Sequence, residues 1–429
     1  MSDIKAPEVS LEVFGGVFDI DGAGQYPGIE LLNFILCSPD GLKPTEGRIL
    51  IQRSAHDFSR RLIRDETLPE EEKRNVLLDL HSEQAISKLL RSLELELPNL
   101  VKSKSWERTH FFPFTSSLVH WDARTRKGKE QILLERRYFR GAGAYAFVIL
   151  RADQDLNRLK RIREGFQYLY PNNDESPLEM LAKTLRDAGI TDKEPVADEV
   201  AYSTSNKLKF DDWEELYRKG VDNILSYHSA SVVDRVRSLV TWTGIWSVIM
   251  MAGRAETVVA CKVSGFILDC ASTHSQLRRA SQKNYKTQLI NIDKATTLKA
   301  EELNGELSIQ QLGKIKGFFG NTAVSCGIGN AWKGRRHFTL RLESIDALVM
   351  AGIACGDEVE FENFMTGWLY HHCRLIIGRN AASSENLLND LDATIFEENE
   401  RSLAEQMLTA GMLRMYSDAT RMVSYGGDK

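Results

Sequence analysis

Two stretches of this 429-residue chain gather cations at spacings that could hold a polyanion. Residues 124–163 carry twelve Lys and Arg against four Asp and Glu, and residues 278–341 repeat that ratio, in a chain whose net charge is −5. The first stretch contains "RRYFRGAGAYAF", in which Arg136, Arg137 and Arg140 run into Gly141-x-Gly143-x-x-Ala146. The second contributes Arg278, Arg279, Lys283, Lys314, Lys316, Lys333, Arg335 and Arg336, interleaved with glycines and with Phe318, Phe319 and Trp332. Cations hold phosphates, amides exposed at glycines accept anions, and aromatic rings stack on bases. These residues are therefore the candidate nucleic-acid-binding set, with backbone contacts to DNA as the expected mode.

Catalytic alternatives are weaker. A dinucleotide fold needs a strand before its glycines and a helix after them. Here "ERRYFR" and "AYAFVIL" both read as strands, so a hairpin is expected around Gly141 and Gly143. "VFDIDGAG" (17–24) resembles the first motif of haloacid-dehalogenase-type phosphatases, with Asp19 and Asp21 as nucleophile and general acid, although Ala23 stands where that motif has Thr or Val. The acid pair Asp211-Asp212 falls at an expected helix start. A metal-dependent phosphohydrolase or nuclease using Asp19 and Asp21 is thus the enzymatic alternative. No Walker loop, Gly-x-Ser-x-Gly or His-Glu-x-x-His occurs. No cofactor or metal ligand set is indicated: six scattered cysteines lack any Cys-x-x-Cys, and "HHC" (371–373) ends an amphipathic helix.

The elements that would position these residues read as an α+β, multi-domain chain. Gly-Gly, Asp-Gly and Pro-Gly punctuation in the first fifty residues suggests β structure, with strands in "VSLEVFGGVFDIDG", "GIELLNFILCSPDG" and "GRILIQ". Charged helix is expected over 54–97, strand over 109–122 and in "QILLERRYF", helix over 153–170, and a capped helix from Ser176 to Gly189. "TDKEPVADEVAYSTSNK" reads as a linker. Helices should dominate 211–256, where "LVTWTGIWSVIMMA" (239–252) is too short to span a bilayer and reads as a buried core helix. The division expected is an N-terminal mixed β/α domain (1–190), a mainly helical middle domain with the basic Gly-rich segment (191–341), and a C-terminal domain (342–429).

In that last segment helices over 342–353, 360–373 and 399–409, a short "LIIG" strand and a terminal ribbon over 413–425 follow winged-helix order. Phe361, Phe364 and Trp368 at i, i+3 and i+7 mark one buried face. The segment holds six Lys and Arg against fifteen Asp and Glu, the wrong sign for entering a DNA groove, so it is expected to dock protein.

"LESIDALVMAGIACGDEVEFENFMTGWLYHHCRLIIG" and "ENERSLAEQMLTAGMLRMYSDATRMVSY", with "RRYFRGAGAYAFVILRADQDLNRLKRIREGF" in the middle of the chain, resemble accessory proteins of multigene bacterial phage-defence, restriction-like systems. The resemblance covers about a third of the chain and carries no catalytic motif. It implies a cytoplasmic bacterial subunit working beside ATPases, methyltransferases or nucleases. The function expected is therefore a non-catalytic nucleic-acid-binding or scaffold subunit of an antiphage complex. A pure protein–protein adaptor is a further alternative. No signal peptide or membrane segment is expected.

Overall fold

The computed structural model describes residues 2–20, 27–37, 42, 48–53, 123–125, 132–134, 141–170, 196–201, 208–262, 264–331, 335–416 and 420–426. In chain order the elements are β1 (Ser2–Asp3), α1 (Ala6–Phe14), α2 (Pro27–Cys37), β2 (Arg48–Arg53), β3 (Ala123–Thr125), β4 (Ile132–Leu134), α3 (Ala142–Arg151), α4 (Leu156–Leu169), β5 (Val196–Ala201), α5 (Asp212–Ser226), α6 (Val232–Val258), β6 (Phe266–Ile267), α7 (Ser275–Glu302), β7 (Gly305–Glu306), α8 (Ile309–Ser325), α9 (Leu342–Gly352) and β8 (Val359–Glu360). They continue with α10 (Phe361–His372), β9 (Leu375–Ile376), α11 (Arg379–Ser384), α12 (Ala393–Thr409), β10 (Leu413–Met415) and β11 (Arg421–Val423). Helix and strand are mixed, with helix predominant.

The 27-residue α6 is the axis of the packing. It is buried on nearly every side, with Trp242, Trp246, Ile245 and Ile249 fully buried, and α1, α2, α3, α5, α7, α8 and α9 pack against it. Each fully buried large side chain contributes about 1.5–3 kcal/mol. One connected cluster of buried apolar residues runs from Ile4 through α6 to Val423, drawing on all three segments expected as domains.

Several expectations are corrected. Residues 6–14 and 27–37 are helices, not strands, while "GRILIQ" does contribute to a strand, β2. Gly15, in the left-handed region at φ 79°, ends α1, so no apolar strand leads into Asp19; Asp19 is buried in a bend and Asp21 lies outside the described residues. The phosphatase motif thus lacks the strand that would present its nucleophile. Residues 196–201 of the expected linker form β5, paired antiparallel with β2. The expected helices over 54–97 and 176–189 and the strand over 109–122 fall outside the described residues.

The expected hairpin at Gly141 and Gly143 is instead the start of a helix. Gly141 is the N-cap of α3, and the Gly141 and Gly143 N–H groups donate to the Glu30 carboxylate of α2 at 3.1 and 2.8 Å. A Cβ at Gly143 would stand 2.2 Å from the Pro27 carbonyl oxygen, so glycine sets how closely α2 and α3 approach. The anion-accepting amides of this motif are occupied by the protein's own buried carboxylate. Burial pushes that carboxyl well above the usual range, against the backbone donors that favour its anion.

Arg254 of α6 ties four helices together. Its guanidinium donates to both carboxylate oxygens of Asp211 at 2.8 Å, to Glu214 at 3.3 Å, to the Tyr145 hydroxyl at 2.9 Å, and to the Phe14 carbonyl oxygen. Glu214, fully buried, also accepts from Tyr145 at 2.5 Å and from Arg218 at 3.2 Å. Asp211 caps α5, as the Asp-Asp pair suggested.

From α9 onward the order is helix, strand, helix, strand, helix, helix, strand, strand, with a three-stranded antiparallel sheet ordered β10-β11-β8 and β9 paired instead with β6. The expected face of α10 is present: Phe361, Phe364 and Trp368 are all buried. From Phe364 to His372 this helix is π-wound. Helix α12 does not stand free. The buried Asn399 accepts from the Cys270 and Ala271 N–H groups and donates to the Leu268 and Ile377 carbonyls at 2.8–3.1 Å. Around it, Glu397 pairs with Arg379, Glu398 with His274, and Glu400 with Arg421.

Two outcomes follow for stability. Arg254→Ala removes the cation from beside a fully buried carboxylate and should cost about 3–5 kcal/mol, read by urea denaturation. Asp346 on α9 has its carboxyl raised to about 6 by burial and by Glu343 and Asp234. Between about pH 4 and 6 the folded chain keeps this proton while the unfolded chain loses it, so this group lowers stability as pH rises through that window. Asp346→Asn should flatten that part of the stability profile and leave the protein more stable at pH 7.

Candidate functional site

The basic tract at 278–341 folds mainly into α7 and α8. The spacing of Leu277, Ser281, Tyr285, Gln288, Ile292 and Ala295 puts them on one buried face of α7. Three polar residues on or beside that face fix the helix's rotation. Ser281 Oγ accepts from Phe338 N–H at 2.8 Å and lies 3.1 Å from the Phe338 carbonyl. Asn284 accepts from Ile267 N–H at 3.1 Å and donates to the Gly265 carbonyl at 2.9 Å. Gln288 donates to Ser264 Oγ at 3.0 Å.

With that face held inward, Arg279, Lys283, Lys286, Ile290 and Lys294 line up along the opposite, exposed face. Their spacings of 4, 3, 4 and 4 residues keep them in one stripe. At 1.5 Å per residue the stripe is about 22 Å long. None of the four cations is in an ion pair among the described residues. The nearest acid on α7, Asp293, is engaged by Lys316 at 3.1 Å. Unpaired, hydrated cations on a rigid helix can meet successive phosphates without breaking any internal bond.

The other sequence-predicted cations divide sharply. Arg278 turns inward: Nε donates to the fully buried Asp269 at 3.0 Å and Nη2 to the Ser272 carbonyl at 2.5 Å. Arg336 is half-buried between Tyr285 and Asn321, occupying space that a Cβ at Gly320 would take. Lys316 is ion-paired, Lys314 is half-buried, and Arg335 is exposed in the segment after α8. Arg136, Arg137, Arg140 and Lys333 lie outside the described residues, as does Trp332. The glycine-amide and stacking parts of the expectation are corrected: Gly313, Gly317 and Gly320 sit inside α8, and Phe318 and Phe319 are fully buried core residues.

The first basic tract, among its described residues, uses much of its charge internally. Arg158 bonds Asp153 and Glu215, Arg161 bonds Asp222 at 2.5 Å, Lys160 faces Glu164, and Arg151 is buried. Lys286 and Lys294 were missing from the sequence-derived set. Plotting the tract at a helical period would have placed them beside Arg279 and Lys283.

Among the described residues no three His, Cys, Asp or Glu side chains gather as a metal ion would require. No helix among them is long and apolar enough to cross a membrane. Compared with models of known protein families, with curated proteins and with solved structures, the chain matches none.

The two kinds of cation separate in stability measurements. Lys283→Ala, at an exposed site with no partner, should change unfolding free energy by no more than about 0.5 kcal/mol. Arg278→Ala leaves Asp269 buried without its arginine and should cost about 2–3 kcal/mol by the same denaturant titration.

Proposed function

We propose that this chain is a non-catalytic subunit that holds nucleic-acid backbone along the exposed face of α7 and engages a partner protein through its acidic C-terminal segment. The observation that carries the reading is the unpaired stripe Arg279, Lys283, Lys286 and Lys294 on a helix whose rotation is fixed from behind. A duplex presents one phosphate per about 3.4 Å of each strand, so a stripe of about 22 Å faces several of them. Such contacts bind without reading sequence.

The sheet order β10-β11-β8, with α9 before β8 and α12 before the β10–β11 ribbon, supports a winged-helix reading in which β9 and α11 are insertions. Its α12 is the helix that a DNA-reading winged helix would insert into the major groove. Here α12 is clasped by Asn399 to residues 268–271 and its Glu397, Glu398 and Glu400 already meet Arg379, His274 and Arg421, so protein contact is the better use of the segment. The resemblance to accessory proteins of phage-defence loci supports a place in a multisubunit bacterial assembly in the cytoplasm, with DNA as the polyanion.

Fluorescence anisotropy with duplex and single-stranded DNA tests the central claim. With four phosphates neutralised, log affinity should fall against log salt with a slope of about −3.6 for duplex and about −2.8 for single strands. Replacing Lys283 and Lys286 together by Ala should halve that slope. Binding whose salt slope is unchanged in the double variant would remove α7 from the interface.

A further inference from the structure

Arg235, at the fourth position of α6, is a buried cation with no counter-ion among the described residues. Its relative exposure is 1 %, and neither Nε nor Nη1 has a hydrogen-bond partner. Taking a guanidinium from water costs several kcal/mol unless a carboxylate, carbonyl or other anion takes its protons. The acid beside it in sequence is engaged elsewhere: Asp234 accepts from Ser231 Oγ at 2.7 Å. What Arg235 does have is an aromatic cover, the Tyr168 ring of α4, whose centroid lies 4.9 Å from the guanidinium carbon.

The surroundings are those of an anion seat. Side chains on a helix tilt toward its N-terminus, so a residue in the second turn reaches back over the first. There, Ser231 Oγ caps the Asp234 N–H, while the N–H groups of Val232 and Val233 have no protein acceptor among the described residues. The same Tyr168 ring meets the exposed His228 edge-on at 5.0 Å, bringing an imidazole to the same spot from the turn after α5. Tyr168 is itself 56 % exposed, so it covers Arg235 as a side chain on the surface and not as part of the core.

We propose that Arg235, the first turn of α6, His228 and Tyr168 form a binding site for a phosphate group, with Arg235 as its bidentate anchor and Tyr168 as its cover. A guanidinium fork matches the oxygens of a phosphate, and a helix N-terminus favours negative charge. The free ion and a phosphate carried on a larger molecule share this chemistry. The site uses none of the α7 stripe, so it stands or falls separately from the DNA-backbone reading.

The test is a titration of the whole chain with inorganic phosphate in an otherwise anion-poor buffer, followed by calorimetry and thermal unfolding. Saturable binding should raise the melting temperature of the unaltered protein by about 2 °C or more. Arg235→Met should abolish that response and be at least as stable as the unaltered protein without phosphate, because an apolar chain of similar length replaces an uncompensated charge. Arg235→Lys, which keeps the charge but not the fork, should respond more weakly than the parent. A short oligonucleotide titrated in the presence of saturating phosphate distinguishes the sources. Competition with phosphate means that the site takes a backbone phosphate, and independence means that it takes the free ion or a small phosphate ester. No saturable binding, an equal response in Arg235→Met, or a loss of stability in Arg235→Met without phosphate would each overturn the proposal.

Discussion

The bond set around Arg254 is the constraint on which the arrangement rests. A fully buried carboxylate, Glu214, is tolerable only because Arg254, Arg218 and the Tyr145 hydroxyl all donate to it. These donors come from α6, α5 and α3, and Arg254 also reaches the last carbonyl of α1. Apolar packing alone is non-directional and would accept many rotations of a helix buried on nearly every side. The ionic set accepts one. It fixes where α1, α3 and α5 meet the axis while burial supplies most of the stabilisation.

A second polar set performs the same service for the surface that matters most. Ser281, Asn284 and Gln288 bind α7 to residues 264–267 and 338, and so decide which of its faces is wet. The cations on that face are unpaired because the acids of the tract are few, and Asp293 and Glu302 are engaged by Lys316 and Lys299. In the 124–163 tract the described cations have an opposite arrangement. Arg158 and Arg161 find acids on α5, more than fifty residues away in sequence, so the charge of these two is cancelled in space.

What could be read from the sequence follows from this division. The buried α6, the face of α10, the cap at Asp211 and the terminal ribbon all rest on local signals, and the structure contains each of them. Helices α2 and α3 read as strands because they are buried on most sides, so their apolar runs show no helical period; in α1 the buried Ala6, Val9, Val13 and Phe14 keep helical spacing, but the glycines after them look like turn residues. Gly143 is there for contact with α2, a partner that no local pattern reveals. Charge counting has the same limit. It registers how many cations a segment has, but not whether an acid from a distant helix has reached them.

Asn399 shows how narrow such a polar solution can be. Its amide uses two acceptor and two donor positions at once, joining α12 to the chain before α7 and to the strand β9. Aspartate has the same size and shape, yet it would turn a donor pair into an oxygen facing two carbonyl oxygens. Leucine would fit the volume and leave four backbone groups dry. The junction therefore discriminates by the identity of a single atom, nitrogen against oxygen, and spontaneous loss of that nitrogen through deamidation would act on the folded protein as a point mutation acquired with age.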